Sequence, residues 1–395
     1  MHGCDFIVIG AGAAGLVAAI TAGKAGKSVV LIDHMAAPAR KLLITGGGKC
    51  NFSNKNVRWD RYASENPHFC KSALSRLTTN DILDVLKQNK IAHTEKNDGK
   101  LFLNAASVLR DFLFREIKNA SVDCLFGAPV ASIGRTENLF VVETVKKTVA
   151  APRLLIATGG PSFPKTGATD FAVRVAKKFG VNVIPTAPAL TPIRLPPALP
   201  VDFSGLQGVG LPVRMTTGKK SVRGDLLFTH NGISGPAALQ TSLYWRKDAL
   251  VVIDFLPDTD LESLLKDEKR QNGVKKTETF LTMPKRLADR FTALLPENKR
   301  AVRPAELSGG DIAALSRAVN RFSFVPAGLD GYNKAEVTRG GVDTAALSSK
   351  TMECRACPGL FFAGECVDVT GEIGGFNLHW AFASGKAAGV AVCGM

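Results

Sequence analysis

Apolar and polar positions near the N-terminus alternate in blocks. Asp5-Phe6-Ile7-Val8-Ile9 is an unbroken apolar run behind one acid, the pattern of a parallel strand covered on both faces. It ends in Gly10-Ala11-Gly12-Ala13-Ala14-Gly15. Residues 14–25 are rich in Ala and Leu, which favour helix, and Gly26 stops them. Ser28 to Asp33 reads as a second buried strand. Strand, glycine turn, helix and strand in about thirty residues predict a βαβ unit.

Further along, residues 40–54 read as a polar loop around Gly46-Gly47-Gly48, and a helix is expected from about Asn66 to Asn89. Residues 106–119 present Val108, Leu109, Phe112, Leu113 and Ile117 as one apolar helical face. Strand-like runs follow at Val122–Phe126, Pro129–Ile133 and Leu139–Val145. Arg153 to Ala157 is another buried strand, ending at Thr158-Gly159-Gly160. The seven prolines from Pro185 to Pro212 predict a linker and a domain boundary. Candidate strands then occupy 211–256, and residues 259–321 read as helical. Leu360 to Ala363 is the last strand, followed by Gly364-Glu365, and Gly374-Gly375 opens a final helix reaching about Val392.

Composition narrows the class. With 395 residues, 45% hydrophobic and 22% charged, the chain is a soluble globular protein of roughly two to three domains, not a disordered or fibrous one. The net charge of +15 favours acidic partners: nucleic acid, anionic lipid or a phosphate-bearing cofactor. The 13 Lys and Arg of residues 259–321 are interspersed with Asp and Glu and have few aromatics beside them. They therefore read as a solvated face, and nucleic acid is not favoured as a partner. The apolar stretch from Phe6 to Ala22 is crossed by Gly10, Gly12 and Gly15, too interrupted for a membrane span. Asp5 and the lack of Lys or Arg before it argue against a signal peptide. Eight scattered cysteines without an export signal are expected to be reduced, in a cytoplasmic protein.

The glycine turn carries the first chemistry. In Gly10-x-Gly12-x-x-Gly15, the first glycine permits the tight turn, the second lets backbone approach a pyrophosphate, and the third lets helix pack on strand. The helix N-terminus offers N–H groups and a partial positive charge to phosphate. Asp33 stands at the end of the next strand, where a carboxylate can accept from ribose hydroxyls. The turn itself suits FAD and NAD equally, because both contain adenosine diphosphate.

Longer motifs carry a resemblance. Arg40-Lys41-Leu42-Leu43-Ile44-Thr45-Gly46-Gly47-Gly48-Lys49-Cys50-Asn51, the segment Phe228-Thr229-His230-Asn231-Gly232-Ile233-Ser234-Gly235-Pro236, the stretch Thr338-Arg339-Gly340-Gly341-Val342, and the run from Pro358 through Gly364-Glu365 and Gly374-Gly375-Phe376-Asn377-Leu378 occur in order along the chain. Together they resemble the BaiN/RdsA-like, or YhiN-type, NAD(P)/FAD-dependent oxidoreductases of bacteria. The resemblance implies an α/β fold: a Rossmann-type FAD-binding domain split between the chain ends, with inserted β-barrel-like and small helical domains. The implied boundaries are 1–188 and 346–395 for the FAD domain, 189–258 and 323–345 for the β-rich insertion, and 259–322 for the helical one. The implied cofactor-binding residues are Gly10, Gly12, Ala13, Gly15, Asp33, Arg40, Lys41, Gly46, Cys50, Asn51, Val130, Thr158, Gly159, Gly160, Gly364, Glu365, Gly374, Gly375, Asn377 and Leu378. The implied activity is reduction of an activated, enone-type C=C in a small molecule, with FAD as cofactor and NAD(P)H as transient reductant.

Three side-chain features remain. His230, in a Gly- and Ser-rich loop, is the first candidate for proton delivery, with a turn-capping histidine as the plain alternative. His379 stands where the family usually has Gln and could alter the ring environment. Cys354-Arg355-Ala356-Cys357 has the spacing of a dithiol, but no second pair completes a zinc site, so these read as surface thiols. Two other functions stay open: a flavin oxidase or dehydrogenase of amines or hydroxy acids, and an RNA-associated flavoprotein. Substrate and oligomeric state are left open by the sequence.

Overall fold

The computed structural model describes residues 2–394. They form two compact units: residues up to 188 together with those from 336 onward, and residues 189–335.

The first unit is built on five parallel strands: β1 (Phe6–Ile9), β2 (Val29–Asp33), β3 (Asp123–Phe126), β4 (Leu154–Ile156) and β5 (Leu360–Phe362). Their spatial order is β5-β4-β1-β2-β3, and every pairing is parallel. This is a Rossmann-type sheet. Every residue of β1, β4 and β5 is buried, as the unbroken apolar runs require. The order turns back between β1 and β4, and ligands of such sheets bind outside the strand C-termini at that point.

Three helices frame the sheet: α1 (Ala13–Lys24), α2 (Ala106–Asn119) and α3 (Phe376–Cys393). α1 and α3 touch backbone to backbone. A Cβ on Gly385 would lie 2.3 Å from the Ala14 carbonyl oxygen, and one on Gly389 would lie 2.7 Å from that of Ala18. Two glycines one turn apart thus join a helix from each chain end.

Several local expectations need correction. The loop expected over 40–54 is a short helix (Arg40–Ile44), a 3-10 turn (Thr45–Gly48) and a strand (Asn51–Asn54). That strand pairs with Lys100–Leu103, which pairs with His93–Lys96. The single helix expected over 66–89 is two, Lys71–Arg76 and Thr79–Gln88. The break comes from Thr78: its hydroxyl accepts from Asp81 N–H while the Asp81 carboxylate accepts from Thr78 N–H, so a new helix starts there. The proline-rich linker begins as a strand, Val183–Ala189, paired with Val337–Val342. Pro at strand positions is tolerated at such an edge.

The second unit holds a seven-stranded antiparallel sheet. Its order is 322–324, 251–254, 210–217, 220–229, 232–234, 193–194, 328–329. Helices Leu261–Arg270, Lys285–Thr292 and Gly309–Asn320 pack with it around one core. Phe203, partly buried, packs against it with ring centroids 5.1 Å from those of Phe228 and Phe322. The β-rich and helical parts of this unit therefore share a single core.

Candidate functional site

The glycine turn divides its tasks by space. Gly10 has φ of +106°, and a Cβ there would lie 2.5 Å from the Ala157 carbonyl oxygen. A Cβ on Gly15 would lie 1.8 Å from the Gly10 carbonyl oxygen. At Gly12 nothing lies within 4 Å. The outer glycines are demanded by packing among β1, β4 and α1, while the middle one borders open space. Gly12 is also the N-cap of α1 and makes no side-chain cap, so the first N–H groups of α1 have no intrahelical partner. Ala13 is half-buried at the same helix start.

Asp33 is tied to this turn. One carboxylate oxygen accepts from Ala11 N–H at 2.7 Å and the other from Met35 N–H at 2.8 Å. The sequence suggested ribose as its partner; the structure shows it first as the clamp of the glycine loop.

The ends of β4 and β5 carry a polar network. Lys41 Nζ lies 2.7 Å from Glu365 Oε2 and 2.6 Å from Ser162 Oγ. Ser162 donates to Glu365 Oε1 at 2.6 Å, and Thr338 N–H donates to the same oxygen at 2.8 Å. Ser162 N–H in turn donates to Thr338 Oγ1 at 3.1 Å. Lys41 and Glu365 are partly exposed and Ser162 is buried. Sequence reasoning missed Ser162 and Thr338. Thr338 opens one of the family-like motifs, but its neighbours there give no sign of an approach to residue 365.

Beside this network, Thr158 follows β4 with its Oγ1 fully buried and without a hydrogen-bond partner. Gly159 has φ of +70° and borders Glu365. A Cβ on Gly160 would lie 2.6 Å from Thr338. Gly364 is fixed at both ends: its N–H donates to Ser384 Oγ at 2.9 Å and its carbonyl accepts from Trp380 Nε1 at 3.1 Å.

The loop 45–51 meets the start of α3. Gly46 is left-handed and close to Asn51 N, whereas Gly47 and Gly48 border open space. The Asn51 amide, in the orientation its surroundings dictate, donates to the Leu101 and Ser53 carbonyls and accepts from Gly375 N–H at 3.1 Å. Gly374 and Gly375 both have positive φ, and a Cβ on Gly375 would lie 2.3 Å from the Ser53 carbonyl oxygen. Asn377 exchanges hydrogen bonds with Gly371 N–H and its carbonyl, both at 2.8 Å, holding the turn before the helix. Leu378 is half-buried in the first turn of α3, and Arg40 is exposed at the start of its short helix.

Other candidates lie elsewhere. Cys50 is wholly buried in the core, where burial pushes its thiol up to about 11. Val130 opens the strand Val130–Arg135 of a separate four-stranded sheet. Cys354 and Cys357 are buried free thiols, not surface ones. Arg135 Nη1 lies 2.8 Å from Cys357 Sγ, and burial raises that thiol. His379 is buried in α3, with Nδ1 2.8 Å from Ser53 Oγ and Nε2 2.9 Å from the Leu77 carbonyl. A carbonyl only accepts, so Nε2 carries the hydrogen and Nδ1 accepts from the Ser53 hydroxyl. Burial pushes this imidazole down to about 4, so it is neutral and both its nitrogens are engaged. His230 sits exposed in the second unit, with Asn231, in the two-residue turn between paired Thr229 and Gly232.

Residues 4–391 match the family model described as the HI0933-like protein Rossmann domain. The chain belongs to this family. Among its curated relatives, ribosomal RNA dihydrouridine synthase of Escherichia coli K12 is 42% identical over 98% of this chain and 97% of that protein. The protein of the same name from Haemophilus influenzae is 38% identical over 98% of each chain. The 3-dehydro-bile acid delta(4,6)-reductase of Clostridium scindens is 29% identical over 97% of each. The HI0933-like chain also shares its fold with a flavocytochrome c3 fumarate reductase, at TM-score 0.50 and 16% identity over 100% of this chain and 78% of that one. Among the described residues, no helix is long and apolar enough to cross a membrane.

Proposed function

We propose that this protein is an FAD-dependent reductase that saturates the C5=C6 bond of uridine in ribosomal RNA. The observation that carries the reading is the full-length, 42% likeness to the E. coli ribosomal RNA dihydrouridine synthase. Uracil C5=C6 is conjugated to the C4 carbonyl, so it belongs to the activated enone class that the motifs suggested. The bile-acid relative is named for reduction at the 4,6 positions of a 3-dehydro substrate, which is compatible with one family chemistry on two substrates. RNA thereby moves ahead of a free small molecule as partner, the reverse of the preference drawn from the interspersed charges.

The site residues fit FAD. Open space beside Gly12, Gly47 and Gly48 and the unpartnered, buried Thr158 hydroxyl are what a closely seated ligand would occupy. The N-terminus of α1 would hold the pyrophosphate. Arg40 and Lys41 would supply positive charge to it, and the Lys41–Glu365–Ser162–Thr338 network would orient the polyol chain. The start of α3, fixed by Asn51 and Asn377, would face the ring with its N–H groups. Bound FAD supplies the hydride chemistry, with NAD(P)H as the proposed reductant. His230 is proposed to deliver the proton to C5, because its imidazole is exposed on a short, defined turn.

The test is to purify the full chain, record its visible spectrum, add NADH or NADPH without oxygen, and then supply unmodified ribosomal RNA. A bleached flavin with dihydrouridine formed in the RNA is the expected result. A protein that cannot be loaded with FAD overturns the reading. A bleached flavin that reoxidises with a steroidal enone but not with RNA favours the bile-acid type of substrate, the second reading, which rests on the C. scindens likeness.

A further inference from the structure

The second unit carries an open surface depression of about 470 Å³ lined by Leu329, Asp330 and the exposed Arg194, Gly331, Asn333 and Lys334. Arg194 is seated in an unusual way. It pairs with Gly232 on one side and Gly328 on the other. A Cβ on Gly232 would lie 2.9 Å from Arg194 Cα, and one on Gly328 would lie 2.8 Å from Arg194 Nη2. The guanidinium thus lies against bare backbone, where any side chain at 328 would displace it. Among the described residues, neither Arg194 nor Lys334 has a carboxylate at ion-pair distance. Asp330 also lines the depression, leaving two cations and the Asn333 amide against one carboxylate.

We infer that this depression is a phosphate-binding subsite. The exposed, planar Arg194 guanidinium offers two parallel N–H donors to phosphate oxygens, and Lys334 adds a point charge. Position supports the inference: Gly232, the strand partner of Arg194, closes the turn that carries His230. A ligand anchored on Arg194 sits on the strand paired with the residue that closes the turn of the proposed proton donor. The phosphate has two possible sources. One is an RNA phosphodiester, which rests on the function proposed above. The other is the phosphates of the nicotinamide dinucleotide.

The test uses full-length R194A/K334A, with R194K and K334Q as milder variants and flavin content as the check on folding. If RNA is the source, affinity for a ribosomal RNA fragment falls about tenfold. The plot of log affinity against log salt becomes shallower by about 0.7 for each phosphate that the variant no longer neutralises. If the dinucleotide is the source, its KM rises about tenfold while RNA affinity holds; a rise confined to NADPH marks the 2′-phosphate. RNA affinity and KM both within about twofold of wild type, in a variant that keeps its flavin, overturn the subsite. Dihydrouridine formation by the wild-type protein judges the proposed function separately. A wild type that binds neither RNA nor a nicotinamide dinucleotide overturns both.

Discussion

Lys41 and Glu365, 324 residues apart, meet with Nζ 2.7 Å from Oε2, one from the short helix that follows β2 and the other from the end of β5. The pair joins the N-terminal and C-terminal parts of the first unit beside the C-terminal ends of β4 and β5. Ser162 and Thr338 add two donors to the same carboxylate. Because both ions are partly exposed, the pair itself contributes little stability, about 1 kcal/mol or less. Its value is positional. Lys41→Met is expected to lower the thermal midpoint only slightly and to weaken FAD binding about tenfold; Glu365→Gln keeps one acceptor oxygen for Ser162 and Thr338 but sets an amide NH2 against Lys41, so it weakens binding as well. Titration of apo-protein with FAD, followed by fluorescence quenching, measures both. Unaltered FAD affinity in Lys41→Met would remove this network from the site.

Gly12 and Gly15 separate ligand effects from folding effects. Gly15→Ala places a methyl 1.8 Å from the Gly10 carbonyl oxygen, so α1 must move off β1. A loss of several kcal/mol, of order 3, or failure to fold is expected. Gly12→Ala meets nothing within 4 Å, and its backbone, with φ of −83°, suits any residue. Its chemical stability should stay within about 0.5 kcal/mol of wild type, while FAD affinity falls at least about tenfold because the methyl occupies the pyrophosphate's path. Urea unfolding and FAD titration on the same two variants give the comparison. Equal losses of stability would refute the division of roles.

His379 makes stability depend on pH. Its folded-state pKa is depressed to about 4, against about 6.5 in an unfolded chain. The unfolded state binds the proton more readily, so the contribution is full above about pH 6.5 and is lost as pH falls towards 4. The gap corresponds to roughly 3 kcal/mol across that window. His379→Gln, the residue usual in the family, removes the titrating group. Urea midpoints measured from pH 7.5 to 4.5 should fall more steeply for wild type than for the variant. Parallel curves would show that the histidine does not report burial in this way.

The Rossmann half of the fold was legible because its signals are local. Apolar runs of a few residues, a glycine turn and an Ala-rich helix each specify their own conformation, wherever they fall along the chain. The polar network was not legible, because Lys41, Ser162, Thr338 and Glu365 meet only after β4 and β5 pair. His379 looked chemically interesting for the same reason: a histidine in a motif shows its chemistry in the sequence but not its burial. The double helix over 71–88 was readable in principle from Thr78-x-x-Asp81, where a capping box interrupts an otherwise continuous helical pattern. Cys354 and Cys357 had thiol-redox spacing, yet burial beside Arg135 leaves them as packing residues.

The role proposed for His230 can be separated from FAD binding by splitting the reaction. In the proposed reaction, reduction by NAD(P)H precedes the encounter with RNA, so His230→Ala should bleach at the wild-type rate. Proton delivery to C5 belongs to the second half, so dihydrouridine formation should fall by about a hundredfold or more. His230→Gln keeps a polar side chain of similar reach and cannot donate a titratable proton, so it should be as slow as His230→Ala if the imidazole is the acid. If the histidine only shapes its turn, glutamine should restore much of the rate. Stopped-flow measurement of each half-reaction in the two variants distinguishes the cases, and an unchanged second half-reaction in His230→Ala would assign proton delivery to another group.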